Sequence, residues 1–297
     1  RNLFFKPFIK CNWMEHYMNK YIGPLLILIA AVSWSTAGLF TRVVTTDIPT
    51  TLFWRSLFGG MCVLVIVLLR DHKTLSKNVY RFSLGEVVIA SLSTAGMICF
   101  ISAFFYTTIA NVSFVYGVMP LVTYIFAVLF LKEPISSLAV SCCVVSAAGM
   151  SLMTFGSSNL DDYIGILLAF GMTMFMAALT VAAKFFPAAD SAKATYLSAF
   201  IGALIVIPFA TFTNITPNDY YWLALYGFVN VGLGFGIYLL GVMRVTALAA
   251  ALIGLIEIPL APIWALLLFD EQVGKLTIVG GGIIFISAAF YLVKSTK

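Results

Sequence analysis

Charge is the scarcest property of this sequence. Only 10% of its 297 residues are Asp, Glu, Lys or Arg, where a soluble domain carries about 25%. With 62% of the residues hydrophobic, no stretch has the composition of a separate soluble domain. Histidine is almost missing. His16 and His72 fall in terminal or loop positions with no Asp, Glu or Cys cluster beside them, which argues against a metal site. Cysteine is sparse too. Cys62, Cys99, Cys142 and Cys143 lie in apolar stretches and Cys11 in the N-terminal tail. Neighbours such as Cys142 and Cys143 point about 100° apart on a helix and cannot chelate one ion, so they read as small packing residues. A Walker motif is lacking, which excludes direct ATP drive by this chain. The tail carries Arg1, Lys6, Lys10 and Lys20 without an apolar run of signal-peptide length, so the first apolar stretch is expected to be retained. Met14 and Met18 are candidate starts within that tail.

What is present is a series of apolar runs of membrane-spanning length. Ten spans of about 20 residues with short connectors use nearly the whole chain. Hydropathy predicts them at 22–42, 50–69, 85–107, 110–131, 137–155, 163–184, 193–212, 221–243, 247–269 and 275–293. The basic residues set their direction. With a cytoplasmic N-terminus, 14 of the 17 Lys and Arg residues fall on the inside, and the loop with Asp161 and Asp162 has no basic residue and falls outside. Ten spans then return the C-terminus to the cytoplasm. The net charge of +5 is a topology signal and gives no reason to expect nucleic-acid binding.

The same unit is written twice. Tyr21-Ile22-Gly23-Pro24-Leu25-Leu26 opens the first span and Tyr163-Ile164-Gly165-Ile166-Leu167-Leu168 opens the sixth. A gap-free match at an offset of 138 pairs Gly96 with Gly234, Thr108 with Thr246, Ala127 with Ala265, Glu133 with Glu271 and Leu138 with Leu276. Each unit holds five spans, an odd number, so the second copy enters the bilayer upside down relative to the first. The expected fold is an all-α membrane protein of ten transmembrane helices in two inverted five-helix repeats. Its parts are a cytoplasmic tail at 1–20, a first repeat at 21–156 and a second at 157–297. Inverted repeats mark transporters that rock around a midplane site.

Several motifs carry a family resemblance over residues 21–293. The first span holds Ala31-Val32-Ser33-Trp34-Ser35-Thr36-Ala37-Gly38, and the second opens on Phe53-Trp54-Arg55. The fourth runs from Met119-Pro120 to Lys132-Glu133-Pro134, and the second copy gives Glu257-Ile258-Pro259 and then Asp270-Glu271. In this order they resemble the EamA-like members of the drug/metabolite transporter superfamily. The family pattern has Glu directly before Pro, whereas Ile258 intervenes here, which displaces the expected kink by one residue. The resemblance implies a secondary transporter, usually an exporter of small organic metabolites, with no cofactor.

Glu257 stands out among the candidate residues. It lies near the centre of the ninth span, where an acid costs on the order of 2.5–3.5 kcal/mol on insertion scales. Such residues usually face a cavity. Desolvation disfavours the ion there, which suits proton coupling or the binding of an ammonium group. The bland alternative is a structural carboxyl, hydrogen-bonded to a neighbouring helix or to the broken backbone near Pro259. Read as a continuous helix, its face carries Ala250, Gly254, Ala261 and Trp264. The eighth span places Asn230, Gly234 and Tyr238 on one small-residue face, read as close packing first and as a partly unwound cavity wall second. The fourth lines up Ser113, Tyr116, Pro120 and Tyr124, and the first offers Trp34, Ser35 and Gly38. Trp34, Gly38, Ser113, Tyr116, Asn230, Gly234, Tyr238 and Glu257 form the candidate substrate path. Arg42, Arg55, Lys184 and Lys193 are candidate gate or topology charges. For Arg55, snorkelling to the interface is the first reading and a salt bridge in the outward gate the second.

The leading function is export of a small polar or zwitterionic metabolite, such as an amino acid, across a bacterial inner membrane by alternating access. An importer of a nucleotide-like or sulfonium metabolite is the alternative within transport. A membrane enzyme would need a cluster of His, Asp, Ser or Cys at one depth, and Glu257 is the single acid near mid-membrane, so no catalytic activity is expected. A passive channel would need repeated filter elements around a symmetry axis, and none is visible. The expected partners are a small-molecule solute and the lipid bilayer, with no nucleic acid. A homodimer remains open.

Overall fold

The computed structural model describes residues 12–70, 81–106, 112, 115–134, 136–154, 163–213, 215–269 and 274–295. Ser113, Glu271 and the loops around residues 75 and 160 lie outside the described residues, as does the side chain of Arg42. Among the described residues the chain is helical and has no strand. The first five helical segments are α1 (Asn12–Ser35), α2 (Ala37–Val43), α3 (Ile48–Arg70), α4 (Leu84–Tyr106) and α5 (Met119–Leu131). They are followed by α6 (Ser137–Thr154), α7 (Tyr163–Phe185) and α8 (Ser191–Val206), which ends in a 3₁₀ turn over Ile207–Phe209. Next comes α9 (Pro217–Tyr226), which continues as a π-helix over Gly227–Phe235 into α10 (Gly236–Val242). The last three are α11 (Ala247–Gly254), α12 (Glu257–Phe269) and α13 (Lys275–Ser295).

Composition explains why these segments are helical in an apolar setting. A helix satisfies its own backbone, and in lipid nothing else could. Hydroxyl side chains are satisfied the same way. Ser33 donates to the Ile29 carbonyl, Thr173 to Ala169 and Thr180 to Met176, each one turn back. Among the described residues four helices are long and apolar enough to cross a membrane, and six more are apolar but shorter. Large apolar side chains such as Leu69, Leu167 and Ile286 lie on the outside at 70% exposure, an outer surface suited to lipid. α11 shows the opposite pattern. All eight of its residues are buried, from Ala247 to Gly254, as expected for a helix apolar on every face.

The packing follows the repeat. α4 lies against α7, and the span built from α9, the π-helix and α10 lies against α1. α5 touches α7 as α11 and α12 touch α1. α3 packs on α8 near the middle, and α6 packs on α13 at one side. Exchanging the helices of the first half, α1 to α6, for those of the second, α7 to α13, leaves this set of neighbours unchanged, which is what a twofold relation between the halves produces.

Matching caps tie the halves together at both ends. Ser83 and Glu86 form a capping box at the start of α4, with Ser83 N donating to Glu86 Oε2 at 2.7 Å and Glu86 N to Ser83 Oγ at 3.3 Å. The other oxygen of Glu86 accepts from Asp190 N at 3.2 Å, just before α8. Thr216 and Asp219 form the corresponding box at the start of α9. Asp219 reaches across to the residues before α3, accepting from Thr45 N at 2.8 Å and Thr45 Oγ1 at 2.9 Å. Both carboxylates are buried.

Three departures from the expected spans matter for the site. The first span is not one helix but breaks at Thr36, between α1 and α2. The ninth breaks as well. α11 ends at Gly254, and tight i to i−3 bonds at Ile256 and Ile258 make the turn before α12. Pro259 has no N–H for the Leu255 carbonyl, which takes the Ile258 N–H instead at 3.1 Å. Glu257 therefore opens the second half of a broken span rather than sitting mid-helix, and the continuous face through Ala250 and Trp264 does not exist. The eighth span carries the π-helix.

Candidate functional site: a cavity between the two halves

The breaks converge on one cavity. Its volume is about 590 Å³, counting the part open to solvent. Trp34, Ala37 and Arg55 line it from the first three helical segments, and Gly96, Met97 and Phe100 from α4. Tyr116, just before α5, completes the first half's share. The second half supplies Met172 and Met176 from α7, Asn230 and Phe235 from the π-helix, and Glu257. The wall is thus aromatic and thioether-rich, with a few polar groups converging on it, the usual make-up of a small-molecule pocket.

Trp34 organises one side. Its Nε1 donates to the Asn230 carbonyl at 3.1 Å, and Asn230 Nδ2 donates back to the Ser33 carbonyl at 2.9 Å. These reciprocal bonds satisfy backbone carbonyls that the break after Ser35 and the π-helix leave without regular α-helical partners. Thr36 Oγ1 also donates to Ser33 O at 2.6 Å. Trp264 of α12 donates from Nε1 to Ser35 Oγ at 2.8 Å, which joins the broken ninth span to the broken first. Gly234 makes the crossing close. A Cβ added there would lie 2.7 Å from Trp34 Cδ1. Phe235 and Tyr238 hold the indole in place, with ring centroids 5.0 and 4.9 Å away.

Glu257 is half-buried, with its accessible part on the cavity. Tyr116 lines the same cavity from the first half, so a hydroxyl and a carboxyl from opposite halves share its wall.

Of the sequence-predicted path, Trp34, Tyr116, Asn230 and Glu257 meet at this cavity. Gly234 stands behind it, as the contact that lets Trp34 approach. Tyr238 is 1% exposed and lies behind Trp34, its hydroxyl 2.7 Å from Thr180 Oγ1, rather than on the wall. Gly38 follows Ala37 in α2, and whether it faces the cavity lies outside what the described residues define. Tyr124 is diverted altogether. Its hydroxyl accepts from Ser136 N at 2.6 Å and pins the turn between α5 and α6.

The candidate gate charges separate. Lys184 donates to the Val245 carbonyl and ties α7 to the turn before α11. Lys193 Nζ donates to the Arg81 carbonyl at 3.1 Å. Arg55 departs from both of its readings. It neither snorkels outward nor forms a salt bridge with a described residue, but is 7% exposed and lines the cavity. Sequence reasoning also missed Met97, Phe100, Met172, Met176 and Phe235 as lining residues. Met172 and Met176 had a usable signal, since a spacing of four puts them on one helical face. Among the described residues no group of three or more His, Cys, Asp or Glu could hold a metal ion.

The EamA-like transporter family matches this sequence twice, over residues 21–155 and again over 163–293. The chain belongs to that family. It is accordingly a membrane transporter of the drug/metabolite type built from two repeats. No curated protein matches it. Among solved structures, one titled "Crystal structure of protein" is similar at a TM-score of 0.79 and 18% identity, covering 93% of this chain and 99% of that one. At that identity the likeness concerns the fold alone.

Proposed function

We propose that this transporter exports a small polar or zwitterionic metabolite across a bacterial inner membrane by alternating access. In this reading the chain has ten spans in two inverted units, at 21–156 and 157–297, with both termini cytoplasmic. One half rocks against the other around the cavity, which opens to one face and then the other. The observation that carries this reading is the position of Glu257, at a helix break, on a cavity lined by both halves. An ionisable group there is costly unless used, and Tyr116 of the opposite half lines the same cavity. The breaks at Thr36 and around Leu255 give the motion discrete joints.

The test is transport in proteoliposomes with Glu257→Gln, which keeps size and hydrogen bonding but removes titration. A proton role predicts a variant that inserts and folds, loses gradient-driven transport and retains exchange of solute for solute. An ammonium-binding role predicts loss of exchange as well, most severely for cationic and zwitterionic solutes. Wild-type behaviour in both assays across pH 5 to 8 would reduce Glu257 to a structural carboxyl. The topology is tested by cysteine labelling, with residue 160 expected outside and residue 75 inside. Finding both on one side would end the inverted-repeat arrangement.

A further inference from the structure

We propose that Arg55 is the anion-binding pole of the cavity and receives a carboxylate of the transported solute. This rests on the transport reading above and specifies the solute. Arg55 is 7% exposed. A guanidinium presents five N–H donors in a planar fork. What it meets here is soft. Nη2 lies 3.1 Å from the Met97 thioether sulfur, a weak acceptor, and the guanidinium carbon lies 5.1 Å from the centre of the Tyr226 ring. Nε is buried and has no hydrogen-bond partner. Among the described residues no carboxylate is paired with Arg55. A buried cation left in this state is costly, and removing one partner of a buried pair carries the same penalty.

The backbone is shaped to hold it there. At Gly227, next to Tyr226, a Cβ would lie 2.5 Å from the Arg55 carbonyl, so α3 and the start of the π-helix are in direct backbone contact. The guanidinium is thereby fixed on the wall of the cavity that Glu257 lines from the other half. Carboxylates match the guanidinium fork in two parallel hydrogen bonds. A solute bearing both a carboxylate and an ammonium would satisfy Arg55 with one end and Glu257 with the other, and so engage both halves at once. The thioethers of Met97 and Met176 and the rings of Trp34 and Phe235 then face the remainder, which is apolar. The inferred solute class is a small zwitterion with an apolar or aromatic side group.

The experiment uses the purified full chain in detergent and three probes of one skeleton. L-phenylalanine carries both charges, L-phenylalaninamide the cation alone and 3-phenylpropanoate the anion alone. Binding is read by titration against thermal stability. Wild type should bind L-phenylalanine more tightly than either analogue. Arg55→Gln should weaken L-phenylalanine and 3-phenylpropanoate by about tenfold or more, the size expected for losing a charge-assisted contact, and leave the amide within about threefold. Arg55→Lys keeps the charge, loses the fork and should fall between. It also covers the case in which the Gln variant does not fold. Equal binding of the amide and the amino acid by wild type, no binding of the amino acid, or indifference to Arg55→Lys and Arg55→Gln would overturn the proposal. The two readings fail separately. Arg55-dependent binding without flux in liposomes would sink transport and leave the anion site standing. Flux of L-phenylalaninamide that ignores Arg55 would do the reverse.

Discussion

The same helix crossing is built twice in this molecule and finished differently. In the first half α4 crosses α7 at Gly96, and in the second the π-helical span crosses α1 at Gly234. A Cβ on Gly96 would meet Phe175 Cβ at 3.4 Å and Met176 Cγ at 3.7 Å, ordinary contact distances. A Cβ on Gly234 would lie 2.7 Å from Trp34 Cδ1 and closer still to Nε1. One crossing therefore rests on the Phe175 Cβ and the Met176 thioether at ordinary contact distance. The other is closed by an indole that is itself tied to Asn230. Two copies of one unit have become a loose crossing and a locked one, and the Glu257 carboxyl follows the same asymmetry. Met119, the counterpart of Glu257 at the offset of 138, is a 1% exposed core residue, whereas Glu257 faces the cavity.

The comparison can be broken most directly at the glycines. Gly234→Ala should lower the melting temperature in detergent by an amount equivalent to about 1–3 kcal/mol of overpacking. Gly96→Ala should be neutral or slightly stabilising, because alanine is the better helix former by about 0.5–1 kcal/mol and its methyl has space. Equal shifts in the two variants would show that the crossings do not differ. The end caps give a smaller effect. Asp219 accepts from Thr45 and Thr216 through backbone and hydroxyl groups, four bonds in all. Glu86 accepts two backbone bonds. Asp219→Asn should therefore cost more than Glu86→Gln, about 2 kcal/mol against about 1. Because the two caps sit at opposite ends, the double variant should show the sum in a denaturation series. The smallest effect is at the lock itself. Trp34→Phe removes the bond to the Asn230 carbonyl and should cost about 1 kcal/mol. It should also make Gly234→Ala better tolerated, and a double-mutant cycle in thermal melts with no coupling would show that the indole is not what closes the crossing.

Periodicity made much of the scaffold legible. Apolar runs, the two copies of one unit and the match of Gly96 with Gly234 came from the letters alone, and both glycines lie at helix crossings. Glu257 was conspicuous because an acid in an apolar run has few bland explanations. The breaks were harder to see. Thr36 is not a helix breaker by type, and its turn depends on Trp264, Asn230 and Ser33, which are remote in sequence or satisfied only in the fold. Pro259 signalled a kink, but the turn lies two to four residues earlier, where its missing N–H is felt. Arg55 was misjudged because distance from a helix end says nothing about which face a side chain occupies. Tyr124 shared a helical face with Tyr116, yet its hydroxyl found the closer partner at Ser136.

The π-helix also sets how the second half presents its wall. From the capping carboxylate to the matched glycine is ten residues in the first copy, Glu86 to Gly96, and fifteen in the second, Asp219 to Gly234. The register between the copies therefore slips within this one span. A π-turn lets a helix absorb an added residue without ending. The helix carries its surplus as a swelling beside the cavity rather than as a shifted frame. Deleting a residue from Gly227–Phe235 would let the segment tighten toward an α-helix and remove the swelling, leaving the facing of α10 unchanged. The two halves differ at this span, and in the second the π-helix itself supplies Asn230 and Phe235 to the wall.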